Sequence, residues 1–170
     1  MSPKAANSLA GMAAAADVQY SVHAPNAYLC DHQSQLLPGW SQPIRSLLVV
    51  QQQCPLPLNE SGCATEASKA LLRDRFLTLG HTIAQVLTAQ GYRVAYFDPK
   101  TGLPANASAG GAALDDVAVV QSLLGYEVIL NNRCWCLVHP IWGQAVYPAT
   151  LVSTASPSHL LAVVQAVVPA

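Results

Sequence analysis

The spacing of apolar residues changes period several times along the chain, and each change marks an element. Leu72, Phe76, Leu79, Ile83 and Val86 follow one another at intervals of four, three, four and three residues, which draws one apolar stripe on a helix. That stripe predicts the longest helix, over 65–90, opened by Thr65 and closed by Gly91. Ser46-Leu47-Leu48-Val49-Val50 is a continuous apolar run between Pro43 and a polar Gln51-Gln52-Gln53. It predicts a central strand over 44–51, covered on both faces. Over 92–97 the period is two: Tyr92, Val94 and Tyr96 face one way, Arg93, Ala95 and Phe97 the other.

Weaker signals fill in the rest. Residues 18–23 alternate as a first strand. Pro25-Asn26 turns the chain and caps a short helix over 27–37, stopped by Pro38-Gly39. Residues 54–64 and 104–111 read as loops, the first with Cys54 and Cys63 as loop thiols. Asp98-Pro99-Lys100-Thr101-Gly102 is a turn whose backbone amides Asp98 is expected to bond. A helix over 113–124, closed by Gly125, leads into a strand over 126–130. Asn131-Asn132 then forms a hairpin turn, since Asn tolerates left-handed backbone, and a strand follows over 133–139. Within 144–154, Pro148 argues for an edge or a bulge. Ser156 caps a last helix, through Val168, with Pro157 at its first position. Strands and helices in this order predict an α+β fold, a mixed or antiparallel sheet with helices packed on it.

Composition narrows the function. The chain has 170 residues, of which 52% are apolar and 10% charged, with a net charge of -1. That is the composition of one core-forming domain, expected over 18–170 behind a flexible tail over 1–17. The absence of a basic run argues against nucleic acid, and no apolar run reaches the length of a membrane span. The Ala-rich start carries one Lys and no Arg, unlike Arg-rich presequences. Five cysteines, an odd count, fit free thiols in a reducing compartment.

The chemistry concentrates at Asn131 to Gly143, which holds Cys134, Cys136, His139, Trp135 and Trp142. On a strand Cys134, Cys136 and Val138 share one face, and Arg133, Trp135, Leu137 and His139 the other. Two soft thiols on one face suit a transition metal or an electrophile. A Cys134–Cys136 disulfide is disfavoured, because same-face strand neighbours sit near or beyond bridging distance. A zinc site from Cys134, Cys136 and His139 has at most three ligands, and no other Cys/His pair is placed to complete it. Cys30 and His32 point to different sides of their helix, and His81 lies off its apolar stripe. His139, before Pro140, reads as a hydrogen-bonded structural residue.

Three separated motifs also carry a family resemblance. Gln90-Gly91-Tyr92 followed by a strand and Asp98-Pro99-Lys100-Thr101-Gly102-Leu103 is the first. Leu124-Gly125-Tyr126-Glu127-Val128 is the second, and Cys134 through His139 to Trp142-Gly143 the third; Pro157-Ser158-His159 adds a further match. Over 18–168 the chain resembles the C-terminal domain of the methylmalonic aciduria and homocystinuria type D proteins, adaptors in cobalamin trafficking. The resemblance implies a fold like that of flavin-dependent reductases of the nitroreductase type, without flavin and without enzyme activity. It implies cobalamin as cargo, taken from a processing protein through a cysteine thiolate on cobalt. It implies onward routing towards methionine synthase and methylmalonyl-CoA mutase, in the cytoplasm or the mitochondrion.

The family has adjacent cysteines, of which the first ligates cobalt. Aligned without gaps from His139 and Trp142, Arg133 falls on the first and Cys134 on the second. A one-residue shift in the hairpin puts Cys134 on the ligand, so Cys134 is the expected cobalt ligand and Cys136 the second choice. Trp135 and Trp142 offer flat apolar area to a corrin or a partner, with core packing the competing role for Trp142. The fold likeness also admits a flavin-dependent reductase, although fold is weak evidence for function and no phosphate cradle is evident.

Overall fold

The structure is a computed structural model that describes residues 13–15, 17–57, 63–131 and 133–168. Most of the expected 1–17 tail, part of the 54–64 loop and Asn132 of the hairpin turn lie outside them. The elements run β1 (Ala13–Ala15), β2 (Val18–His23), α1 (Ala27–Leu36), β3 (Ser46–Gln53), α2 (Cys63–Ala89), β4 (Val94–Tyr96), α3 (Asp116–Leu124), β5 (Glu127–Asn131), β6 (Cys134–Val138), β7 (Val146–Ser153) and α4 (Pro157–Val167). Five strands form one sheet in the order β1-β2-β3-β7-β4, all pairs antiparallel, and β5-β6 form a separate hairpin. The α+β expectation holds. β1 is an addition: it pairs with β2 inside the stretch assigned to the tail. Cys63, expected in the loop, begins α2.

The sheet is covered on both faces, which explains the unbroken apolar run of β3. Leu48 and Val50 turn towards α2 and α4, where Phe76, Ile83, Leu87, Leu160 and Val164 meet them. Leu47 and Val49 turn the other way, towards Leu29 and Leu36 of α1, Val119 and Val120 of α3, and Leu137 of the hairpin. The 92–97 alternation falls out as expected, with Val94 and Tyr96 in the first layer and Ala95 and Phe97 in the second. The α2 stripe holds at Leu72, Phe76 and Ile83, and Leu87 is the buried residue that continues it. Gly80 lets the helix approach the sheet, since a Cβ there would come within 2.7 Å of the Tyr96 ring. Two caps are as read: Asn26 accepts from Leu29 N and Ser156 from His159 N. Thr65 lies inside α2 rather than at its start, and α3 begins at Asp116 rather than 113, capped by Asp115, which accepts from Ala118 N.

Pro148 sits in an interior strand rather than on an edge, which corrects the expectation for that residue. The physical reason is local. Thr150 O accepts from Phe97 N, so Pro148, two residues away, turns its nitrogen to that same β4 side. β4 pairs only with residues 151–153, so no partner strand faces Pro148 there and no ladder bond is lost.

The outer edge of β4 is met by the 103–106 segment, where Ala105 N donates to Tyr96 O and one side chain adds two more bonds. Asn106 Oδ1 accepts from Tyr96 N at 3.1 Å, and its Nδ2 donates to Val94 O at 2.9 Å. The segment and this amide thus stand in for a neighbouring strand and blunt the edge. Asn106→Ala is expected to lower unfolding free energy by about 1–2 kcal/mol, two neutral hydrogen bonds' worth, and to raise concentration-dependent association. Urea denaturation and light scattering check both.

Candidate functional site

α3 ends at Gly125, whose φ of 69° supplies the left-handed C-cap, and the chain runs straight into the hairpin. Asn131 pairs with Cys134 as the last residue of β5, so it lies in the strand and not in the turn expected of it, and Asn132 lies outside the described residues. Arg133 takes a φ of 66°, and the strand begins one residue later than expected. Arg133 is therefore a turn residue, outside the alternation predicted for it. β6 ends where His139 and Gly143 exchange two backbone bonds around Pro140-Ile141-Trp142.

Burial rises along β6. Cys134 and Trp135 are exposed, the indole by 60%; Cys136 is half-buried, and Leu137 and His139 are buried at 3% and 2%. Cys134 and Cys136 are both free thiols. Burial, foremost, and the neighbouring Cys134 push the Cys136 thiol up, against the pull of Lys69. Leu130 pairs across the hairpin with Trp135 and is equally exposed, so the tip carries an apolar pair in solvent.

His139 is the hairpin's anchor. Its Nδ1 accepts from Ile141 N and Trp142 N, at 3.0 and 3.1 Å. A nitrogen that accepts twice carries no proton, so Nε2 bears it and donates to Gln19 Oε1 at 2.9 Å. Burial lowers its pKa, in keeping with the neutral ring. Trp142 stacks on this ring at 4.2 Å, and Tyr126 meets it edge-on at 5.5 Å. The structural role expected for His139 holds. Both ring nitrogens are engaged, and no group of three metal-ligating residues occurs among the described residues. The zinc alternative therefore finds no support.

Beside β6 lies a cavity of about 480 Å³. Cys134, Trp135 and Cys136 line one side; Lys69 and Arg73 of α2 line another, and Asp116 of α3 and Tyr147 of β7 a third. Trp142 does not line it; its half-buried indole packs into the second core layer. The structure thus gathers three of the four singled-out residues at one cavity. Glu66, Lys69 and Arg73 share a helix face at i, i+3 and i, i+4 spacing, so α2 turns a mixed-charge strip towards the cavity, with Lys69 paired to Glu66 and Arg73 to Asp98.

Asp98 bonds Lys100 N at 2.9 Å, as the turn predicted. It also receives Arg73 Nε at 2.7 Å, with a second bond from Nη2. The Arg73 guanidinium, foremost, holds the Asp98 carboxyl below the usual carboxylate range. This bidentate pair fixes the turn against α2 and closes the far side of the cavity. It joins residues 25 apart, beyond the reach of turn chemistry in the sequence.

Asp116 is the feature that sequence reasoning passed over. It is 9% exposed at the first position of α3, and Thr150 Oγ1 donates to its Oδ1 at 2.7 Å. Burial, opposed by that bond, pushes its carboxyl up to about 7. A signal was present: Asp116 stands three and four residues before Val119 and Val120, on the buried stripe of α3. Tyr147, on the same cavity wall, is likewise pushed up by burial.

Among the described residues no helix is long and apolar enough to cross a membrane. No curated protein matches the chain closely enough to mark a relative. The sequence model of the methylmalonic aciduria and homocystinuria type D proteins matches residues 3–165 of the 170, so the chain belongs to that family, and its role lies in cobalamin metabolism.

Proposed function

We propose that the protein is a non-enzymatic cobalamin-trafficking adaptor, and that Cys134 lends its thiolate to the cobalt of a corrinoid held by a processing protein. One observation carries the reading: Cys134 is an exposed free thiol at the hairpin tip, on the rim of the cavity and next to an exposed tryptophan. A soft sulfur donor suits cobalt, and a tip thiol reaches a metal that a second protein presents. Trp135 and Leu130 supply apolar area for the corrin face or the partner. Cys136 is the second thiol, less exposed and within the field of Lys69. Trp142, stacked on His139, supports the loop that follows β6. Cargo taken this way is passed towards methionine synthase and methylmalonyl-CoA mutase, in the cytoplasm or the mitochondrion.

The test is spectroscopic. With cobalamin and the processing protein present, the wild type is expected to show a cobalt–sulfur charge-transfer band. Cys134→Ser abolishes it, and Cys136→Ser leaves it in place. A band that survives in Cys134→Ser and disappears in Cys136→Ser moves the ligand to Cys136. A band that survives in both overturns thiolate ligation from this hairpin.

A further inference from the structure

We propose that the cavity behind Cys134 seats a primary carboxamide arm of the corrinoid, paired with the carboxyl of Asp116. The proposal rests on the cobalamin reading above and adds the group that the cavity recognises. Four observations converge on it. Asp116 lines the cavity that Cys134, Trp135 and Cys136 also line. Its Oδ1 is engaged by the Thr150 hydroxyl, and Oδ2 has no protein partner among the described residues. Thr150 is fully buried, which fixes the orientation of the carboxyl. Burial pushes the carboxyl's pKa up to about 7, so the neutral acid is still populated at neutral pH and dominates below it.

The chemistry follows from the donor inventory. In the neutral acid the oxygen that accepts from Thr150 is the carbonyl oxygen, so the proton is on Oδ2. Oδ2–H is then a donor offered to the cavity, and Oδ1 keeps a second lone pair. An acceptor and a donor side by side on a ligand satisfy both. A primary carboxamide has that pair: its carbonyl accepts from Oδ2–H, and its N–H donates to Oδ1. A carboxylate has acceptors only, and a hydroxyl or a methyl ester fills one of the two positions at best. The rim of a corrin ring carries primary carboxamides on short arms. A sulfur at the cavity mouth that reaches cobalt therefore brings such an arm towards the cavity.

The experiment presents two corrinoids to the full chain together with the processing protein, at high salt, which screens Lys69 and Lys100. Cobinamide carries the carboxamide arms; cobyrinic acid has the same ring with carboxylic acids in their place. Affinity is read by titration, and the cobalt–sulfur band is read in the same samples. The wild type is expected to bind cobinamide about tenfold or more tighter than cobyrinic acid, the loss expected when a buried polar pair is left unmatched. In Asp116→Ala the preference shrinks to within about twofold, while the band, where formed, keeps its position. Cys134→Ser loses the band and retains the preference. Equal binding of the two corrinoids by a wild type that shows the band overturns the carboxamide pairing alone. A preference that persists in Asp116→Ala overturns it as well. No binding of either corrinoid, and no band, overturns the cobalamin reading with it.

Discussion

His139→Ala is expected to detach the hairpin from the sheet and to lower unfolding free energy by about 3–5 kcal/mol, well above the usual effect of one substitution. The variant leaves the Ile141 and Trp142 amides without their acceptor and removes the donor to Gln19 Oε1 of β2. It also removes the ring between Trp142 and Tyr126. His139→Asn, whose side-chain oxygen can accept from the same amides, recovers part of the loss. The pH dependence has a definite sign. Burial lowers the folded-state pKa of His139 from 6.5, so the unfolded chain binds the proton more readily. Its stabilisation is complete above 6.5 and is lost as pH falls below that value towards the folded pKa. Protonated Nδ1 would point a hydrogen at two N–H donors. His23, lowered by burial in the same direction, is common to both proteins and cancels in the comparison. Urea titrations at pH 7.5 and 5.5 should therefore show wild type losing more stability than His139→Asn. Equal losses would detach His139 from the acid response.

The sequence made the layers legible because period and burial share a cause. A strand covered on both faces is apolar on both, and 47–50 is; a helix lying on a sheet must bury one stripe, and Leu72, Phe76 and Ile83 do. Caps were legible because they are local: Asn26 and Ser156 bond amides three residues ahead. What escaped was non-local or offset by one residue. Asn131 went to the strand and Arg133 to the turn, since the local sequence admits either and only cross-strand pairing chooses between them. Arg73 and Asp98 meet through the packing of α2 on the turn, which no spacing rule encodes. The thiols were found by their residue type. The cavity beside them needed α2, α3 and β7 brought together, so Asp116 read as an ordinary helix start. Pro148 marked an unpaired position correctly, yet an unpaired position can lie inside a sheet when the neighbouring strand is short.

Asp116→Asn is expected to make the protein more stable at neutral pH, which singles the carboxyl out from the residues around it. A folded-state pKa of about 7 against 3.8 for the unfolded chain means that the folded state holds the proton more tightly. Stability is thus greatest below about 4 and is lost as pH rises to 7. The shift corresponds to roughly 4 kcal/mol above that range, an upper figure because buried sites relax around a charge. Asp115 on the same helix and Asp98 across the cavity oppose the charge, whereas the Thr150 bond favours it. Asparagine keeps an oxygen for the Thr150 hydroxyl and has no charge to bury. Denaturant titrations should show Asp116→Asn gaining about 1–4 kcal/mol at pH 7.5 and little at pH 4.5. No gain at pH 7.5 would mean that the carboxyl ionises there without cost, and the neutral-acid donor would be lost with it. A gain identifies a residue that weakens the fold where the protein works, and a buried group of that kind is retained for what it binds.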